Sequence, residues 1–190
     1  SAGHANLDVT ENDNSESVIR KRDPNTFMLG DSGGFQILKC QWPADWKDPS
    51  CPRAMKKRQQ VLTWMDTYMD YGMCLDIPSQ SLTTYNIKDP KTGKSAHGIK
   101  TIEDAITATH INNEYFIKNR SGKCKFLNVL QGRNHTQSKD WYEEMKKYCD
   151  TTIYPDNHFN GWAFGGQNKI DIHLMLTRLV DIIHDGLLQE

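Results

Sequence analysis

Short apolar runs that end near Gly, Asp or Gln alternate along this chain with longer segments of helical periodicity. This alternation is typical of strand–helix units that build a mainly parallel sheet. Four such units fall between residues 26 and 190. The preceding residues 1–25 are polar and have no sustained period, which predicts a loop or a ragged start.

Each unit contains one predicted strand and one predicted helix. The strands are Thr26–Gly30, Met73–Leu75, Lys125–Leu130 and Gly161–Phe164. The helices run from about Pro52 to Tyr71, Thr101 to Lys118, Ser138 to Cys149 and Ile170 to His184. We expect an α/β fold with units of the TIM-barrel type. A complete barrel takes ~250 residues, so four units predict a partial barrel or a fragment of a longer chain, whose open edges need further sequence or a partner.

Composition limits the partners of this chain. Lys and Arg number 23 against 24 Asp and Glu, so the formal charge is -1 and any contact with a polyanion has to be local. No apolar run approaches the roughly 18 residues of a membrane helix, so no membrane partner is expected. The five cysteines form no C-x-x-C pair, which argues against a disulfide framework or a zinc cluster and favours a reducing cytoplasm.

Polar residues and glycines follow each predicted strand directly. In a closed parallel barrel the C-terminal ends of the strands lie on one rim, where active sites of that architecture are built, so we expect these residues to converge. In chain order they are Asp31-Ser32-Gly33-Gly34-Phe35-Gln36, Asp76-Ile77-Pro78, Gln131-Gly132-Arg133 and Gly165-Gly166-Gln167.

These residue types suit the binding of a planar heterocycle. Glycines after Asp31 let such a ligand approach the backbone, and Phe35 offers a face for stacking. Asp76 can accept two donors from one edge of a base, and Gln131 can both donate and accept. Each motif also has an ordinary structural interpretation: a glycine-rich turn, a helix cap, a polar loop or a tight turn before a helix.

The ordered set of four motifs resembles the guanine transglycosylases, whose tRNA-guanine members are TIM barrels. The resemblance covers about Thr26 to Leu188. The segments 29–36, 74–76, 128–132 and 161–166 are similar to the family's D-S-G-G-F-Q, F-D-E, I-V-Q-G-G and G-x-A-I-G-G motifs.

The resemblance implies base exchange: guanine leaves a nucleoside and a 7-deazaguanine enters at the same sugar carbon through a covalent aspartyl intermediate. It makes Asp31 the general acid/base. It assigns substrate binding to Ser32, Gly33, Gly34, Phe35, Asp76, Gln131, Gly132, Gly165 and Gly166. The family's nucleophilic aspartate and zinc cluster lie in the later half of the barrel, beyond Glu190. We therefore expect no metal or cofactor within this chain, a structural zinc in the missing half, and no activity from the chain alone.

Departures from the family pattern bear on the substrate. Gln131-Gly132 is followed by Arg133 rather than by a second glycine, and Gly165-Gly166 is followed by Gln167-Asn168-Lys169. These changes favour the divergent DNA-modifying (DpdA-like) branch, acting in the cytoplasm of a bacterial or phage-infected cell, over the tRNA enzymes.

Local cations are the candidate nucleic-acid contacts. Lys88, Lys91 and Lys94 fall in the loop after the second strand, with Arg133 on the same rim, and a solvated lysine loop explains the three lysines equally well. The first long helix begins with four cations: Arg53, Lys56, Lys57 and Arg58. Positive charges at a helix N-terminus are repelled by the helix dipole, and a neighbouring phosphate would offset this repulsion.

Three alternatives stay open at this point. The chain can belong to a tRNA-guanine enzyme, to a non-catalytic subunit of the same family, or to an unrelated nucleotide-binding α/β domain of flavodoxin-like strand order. The expected partners are a guanine or 7-deazaguanine base and a nucleic acid, with DNA favoured over tRNA, and a homodimer is left open.

Overall fold

The computed structural model describes residues 1–188, so the last two residues of the predicted segment 26–190 lie outside the described residues. The strands are β1 (Leu29–Gly30), β2 (Tyr71–Met73), β3 (Lys125–Leu130) and β4 (Gly161–Phe164). The helices are α1 (Ser17–Arg20), α2 (Gly34–Leu38), α3 (Pro52–Tyr68), α4 (Ile102–Asn119), α5 (His135–Met145) and α6 (Ile172–His184). Short 3-10 turns occupy Asn14–Glu16, Ser79–Thr84, Lys146–Cys149 and Gly166–Lys169.

The strands form one parallel sheet in the order β1-β2-β3-β4. Each strand therefore pairs with the next one along the chain, as α/β alternation predicts. In a flavodoxin-like sheet the order reverses after the first unit. The flavodoxin-like alternative is consequently wrong for the four described strands.

The long helices lie side by side along the sheet, with α3 against α4, α4 against α5 and α5 against α6. Helical crossovers between parallel strands that follow one another in chain order produce this arrangement. Side chains alternate across each strand. Asn128 of β3 points to the helices, where its Nδ2 donates to the Met145 carbonyl at 2.8 Å, and its neighbour Val129 faces the other side of the sheet.

The core lies between this helical layer and the sheet. It is rich in aromatic residues with no exposed surface, and Phe126 of β3 contacts both Phe116 of α4 and Phe159. Burial of such large apolar side chains is the main stabilising contribution to a fold of this kind. Within residues 1–188, no helix combines the length and the apolar character needed to cross a bilayer.

Residues 1–25 consist mainly of loops and turns, with α1 and one 3-10 turn, and pack beside the end of β1. The Ala2 amide donates to the Asp31 carbonyl at 2.8 Å, and Ala2 and Leu7 are buried in the core. Arg22 donates to both carboxylate oxygens of Asp70, at 2.6 and 2.9 Å, which is the main reason that the pKa of Asp70 falls to about 2. The polar residues of this segment therefore form ion pairs and turns.

Several element boundaries differ from the sequence prediction. Helix α3 ends at Tyr68, because Met69 is already extended, and β2 therefore begins at Tyr71 rather than Met73. Helix α5 begins earlier than predicted, at His135, because the Asn134 side chain accepts a hydrogen bond from the Gln137 amide. The predicted β3 and β4 coincide with the observed strands.

Candidate functional site

A cavity of about 560 Å³ opens at the C-terminal ends of the four strands. Its walls include strand residues Met73, Val129 and Ala163, and Val129 faces away from α5. Seven residues that the sequence predicts for the site line this cavity: Asp31, Gly34, Phe35, Asp76, Gln131, Gly165 and Gly166. The expected convergence of strand ends is present for these residues.

The side chains of Asp76 and Gln131 are hydrogen-bonded to each other in the lining of this cavity. The Gln131 Nε2 donates to Asp76 Oδ2 at 2.7 Å, and both side chains are buried, with residue exposures of 7% and 4%. Among the described residues, Gln131 is the side chain that donates to the Asp76 carboxylate, and its bond is made to Oδ2. The pair thus leaves one carboxylate oxygen and one amide hydrogen for a ligand, because a side-chain amide carries two N–H donors.

The rest of the Gln131 amide is fixed by its neighbours. Its Oε1 accepts weak hydrogen bonds from the Ser79 amide and hydroxyl, at 3.4 and 3.5 Å. Gly166 lies against the same oxygen, since a Cβ on Gly166 would approach Oε1 to 2.5 Å, and its φ of 55° is left-handed. A Cβ on Gly165 would lie 2.6 Å from Gln131 Nε2. A side chain at either glycine would displace the amide from Asp76.

Burial strongly perturbs the Asp76 carboxyl. Desolvation raises its pKa to about 7, the hydrogen bond from Gln131 works in the opposite direction, and the charge of Asp31 adds a smaller upward effect. The two aspartates therefore share one electrostatic environment. Strongly shifted carboxyl groups that face a cleft are typical of functional sites.

A buried polar network holds the end of β2 in place. The Asn112 Nδ2 donates to the Leu75 carbonyl at 2.7 Å, and the Arg58 Nε donates to Asn112 Oδ1 at 2.6 Å. One residue beyond Asp76, the Ile77 amide donates to Thr109 Oγ1 at 3.0 Å. Arg58 is only 1% exposed, so it belongs to this network and not to the cationic surface that its position in the sequence suggested.

Asp31 lies on the open side of the cavity. It is exposed, and its Oδ1 accepts a long hydrogen bond of 3.4 Å from the Gly33 amide as the chain turns into α2. Gly34 packs so closely on the β2 end that a Cβ there would lie 2.6 Å from the Asp76 carbonyl oxygen. Phe35 is 54% exposed, and its ring has Lys39 Nζ 5.2 Å from its centroid.

Three predicted contacts do not line the cavity: Ser32, Gly33 and Gly132. Ser32 is buried at 1% exposure beneath the turn, Gly33 packs against Trp42, and Gly132 packs against the backbone of α5 at Ser138. In the described structure Gly33 and Gly132 shape the turns, since both have a left-handed φ, of 82° and 127°.

The predicted nucleic-acid contacts also lie outside this cavity. Lys91 lines one neighbouring cavity, and Lys88 and Lys94 line another. Arg133 is exposed at the start of α5, with its amide donating to Gln137 Oε1 at 3.1 Å. All four residues follow strand β2 or β3. They therefore lie at the same end of the sheet as the candidate site but do not line its cavity.

Among the other lining residues, Pro78 belongs to the segments that the sequence predicts to converge, and the rest were not predicted. The apolar wall consists of Leu38, Met73, Pro78, Val129, Ala163 and Phe164, and Gln80 adds a polar group from the 3-10 turn after β2. The period-2 alternation of β3 was the available signal for Val129, since it places Val129 on the face opposite Asn128. Gln80 has no such signal, because it lies in an irregular loop.

Comparison with known proteins gives no independent identification. No family model, curated protein or solved structure matches this chain. Within residues 1–188, no three His, Cys, Asp or Glu side chains are grouped so that they could hold a metal ion. Assignment of a function therefore depends on the site itself.

Proposed function

We propose that this chain carries the base-binding and proton-transfer half of a transglycosylase that replaces guanine in a nucleic acid, DNA in preference to tRNA, with a 7-deazaguanine. The observation that carries the proposal is the buried Asp76–Gln131 pair at 2.7 Å, held at the ends of adjacent strands beside Asp31 and Phe35. The motif resemblance to guanine transglycosylases supports the same assignment.

The pair suits the edge of guanine that carries N1–H, the 2-amino group and O6. The ionised Asp76 carboxylate accepts from the two donors, and the second N–H of Gln131 donates to O6. Two bound donors favour the charged form, so guanine lowers the pKa of Asp76 from about 7 and binds best when that carboxyl is ionised. Phe35, half-exposed in the lining of the same cavity, stacks on the ring.

Asp31 supplies the proton for base exchange in this proposal. The bond between guanine and the sugar C1′ breaks while Asp31 gives its proton to the leaving base. An aspartate outside the described site forms the covalent bond to C1′, as the resemblance implies. The incoming base then displaces that aspartate and returns its ring proton to Asp31. Proton transfer of this kind needs a carboxyl group at the mouth of the cavity, where Asp31 lies.

Labelled-guanine exchange by the full-length protein, with duplex DNA and bulk tRNA offered in parallel, tests the proposal. We expect label to enter DNA, and Asp31→Asn to abolish entry. Label entering tRNA alone would overturn the DNA assignment. Label entering neither polymer would contradict base exchange and favour a non-catalytic subunit.

A further inference from the structure

A second cavity, of about 580 Å³, lies on the same rim and outside the candidate base site. The segment after α2, the start of α3 and the tip of the loop after β2 form it. The connection from β1 to α3 and the connection from β2 to α4 both begin at the C-terminal ends of parallel strands. They therefore lie at the same end of the sheet as Asp31 and Asp76. We call it the Trp42 cavity; its charged lining residues are Arg53, Lys56, Lys57, Lys91 and Asp89.

The Trp42 cavity has an excess of positive charge. Its single lining carboxylate, Asp89, is 1% exposed and accepts from Arg53 at 2.7 Å, so these two charges are matched. Within residues 1–188, Lys56, Lys57 and Lys91 have no carboxylate within 4.0 Å. Three cations therefore share one concave surface without counter-charges.

Lys57 and Trp42 give this surface its specific character. The Lys57 Nζ lies 4.7 Å from the centroid of the Trp42 ring, in the geometry of a cation–π contact. Partial burial, and secondarily the neighbouring Lys56, lowers the pKa of Lys57, so an anion would relieve an unfavourable charge there. A cationic groove with an aromatic platform is the arrangement that binds single nucleic acid strands.

The two cavities are close together. Leu38 at the end of α2 lines the base site, and Cys40 already lines the Trp42 cavity. The tip of the Trp42 ring also approaches the Gly33 turn, since a Cβ on Gly33 would lie 2.7 Å from it.

We propose that the Trp42 cavity binds the phosphodiester backbone that flanks the base held at Asp76, with Lys56 and Lys57 contacting phosphate oxygens and Trp42 packing on an adjoining nucleotide. This inference rests on the proposed function, because it takes the exchanged base as its reference point. The proposal places the polyanion contact at residues 40–57, which follow α2 and include the start of α3. From the loop after β2 it includes Lys91 alone.

The test measures binding of a labelled single-stranded DNA dodecamer to the full-length protein at several salt concentrations. We expect the double variant Lys56→Gln/Lys57→Gln to reduce the magnitude of the log K against log[salt] slope by about 1.4, which is two phosphate contacts on a single strand. Lys56→Arg/Lys57→Arg should keep the slope. The matched control Lys118→Gln/Lys123→Gln lies at the opposite end of the strands and should also keep it.

Free guanine binding, measured on the same proteins, separates this inference from the proposed function. A reduced slope with unchanged guanine affinity supports both. A reduced slope in a protein that binds no guanine supports the strand site and overturns the proposed base site. An unchanged slope in the Lys56→Gln/Lys57→Gln variant, or an equal reduction in the Lys118→Gln/Lys123→Gln control, overturns the Trp42 cavity as a strand site.

Discussion

The Gln131 amide donates to the Asp76 carboxylate at 2.7 Å across the ends of two adjacent parallel strands, although the residues are 55 positions apart in the chain. Gly165 and Gly166 pack against the Gln131 amide, and Gly34 packs against the main-chain carbonyl of Asp76. The pair is therefore held in one orientation before any ligand arrives, which reduces the entropy that binding must overcome.

Loss of the Gln131 amide should raise the pKa of Asp76 above about 7, because its hydrogen bond is the largest contribution that lowers that pKa. The variant is Gln131→Met, and carbon NMR titration of the Asp76 carboxyl measures the effect. Gln137→Met, on α5 and away from Asp76, is the control. An Asp76 titration that is the same in wild type and Gln131→Met would contradict the pairing.

Stability should fall as pH rises through the window from about 4 to about 7. The folded-state pKa of Asp76 is raised to about 7 from 3.8, so in this window the folded state holds a proton that the unfolded state has lost. Urea unfolding of wild type and Asp76→Asn at pH 4.5 and pH 7.5 measures the difference. The wild type should lose more stability than the variant between these pH values, and equal losses would place the Asp76 pKa near its ordinary value.

Gly166→Ala should weaken guanine binding by at least tenfold, because the new Cβ would lie 2.5 Å from Gln131 Oε1 and displace the amide. Gly186→Ala is the matched control, since its φ of 69° is also left-handed but no atom of residues 1–188 lies within 4 Å of the added Cβ. The control should show only the backbone cost, about 1–2 kcal/mol of unfolding free energy. Equal guanine affinity in the two variants would show that the close approach at Gly166 has no role in the site.

Asn112→Ala should destabilise the protein by roughly 1–3 kcal/mol, because the Leu75 carbonyl and Arg58 Nε would lose their buried partner. Asn119→Ala is the comparison on the same helix, since Asn119 is exposed and donates only to the Tyr115 carbonyl. Chemical denaturation measures both. Similar small losses in the two variants would argue that the end of β2 does not depend on Asn112.

The strand–helix alternation and the convergence of Asp31, Asp76 and Gln131 could be predicted from the sequence. Short, mainly apolar runs marked β3 and β4, and the carboxyl ends of parallel strands necessarily meet at one edge. Helix α2 was not predicted, because it begins at a glycine that helix propensity disfavours and lasts only from Gly34 to Leu38.

The contacts within the site were beyond sequence reasoning. The Asp76–Gln131 hydrogen bond depends on the register that sets Met73 beside Leu127, and sequence periodicity does not fix register between parallel strands. Arg58 gave no sign of its burial, because only tertiary contacts, with Asn112 and Trp46, distinguish it from neighbouring Lys57. The order of motifs thus located the site, while tertiary packing determined its chemistry.

Calorimetric titration of the full-length protein with guanine and with hypoxanthine, which lacks the 2-amino group, tests the base site most directly. Asp76 would lose one of its two donors with hypoxanthine, so we predict affinity roughly tenfold to a hundredfold weaker than for guanine. Asp76→Asn should remove this preference. Equal affinity for the two bases in the wild-type protein, or a guanine preference that survives in Asp76→Asn, would contradict the assignment of this site to guanine.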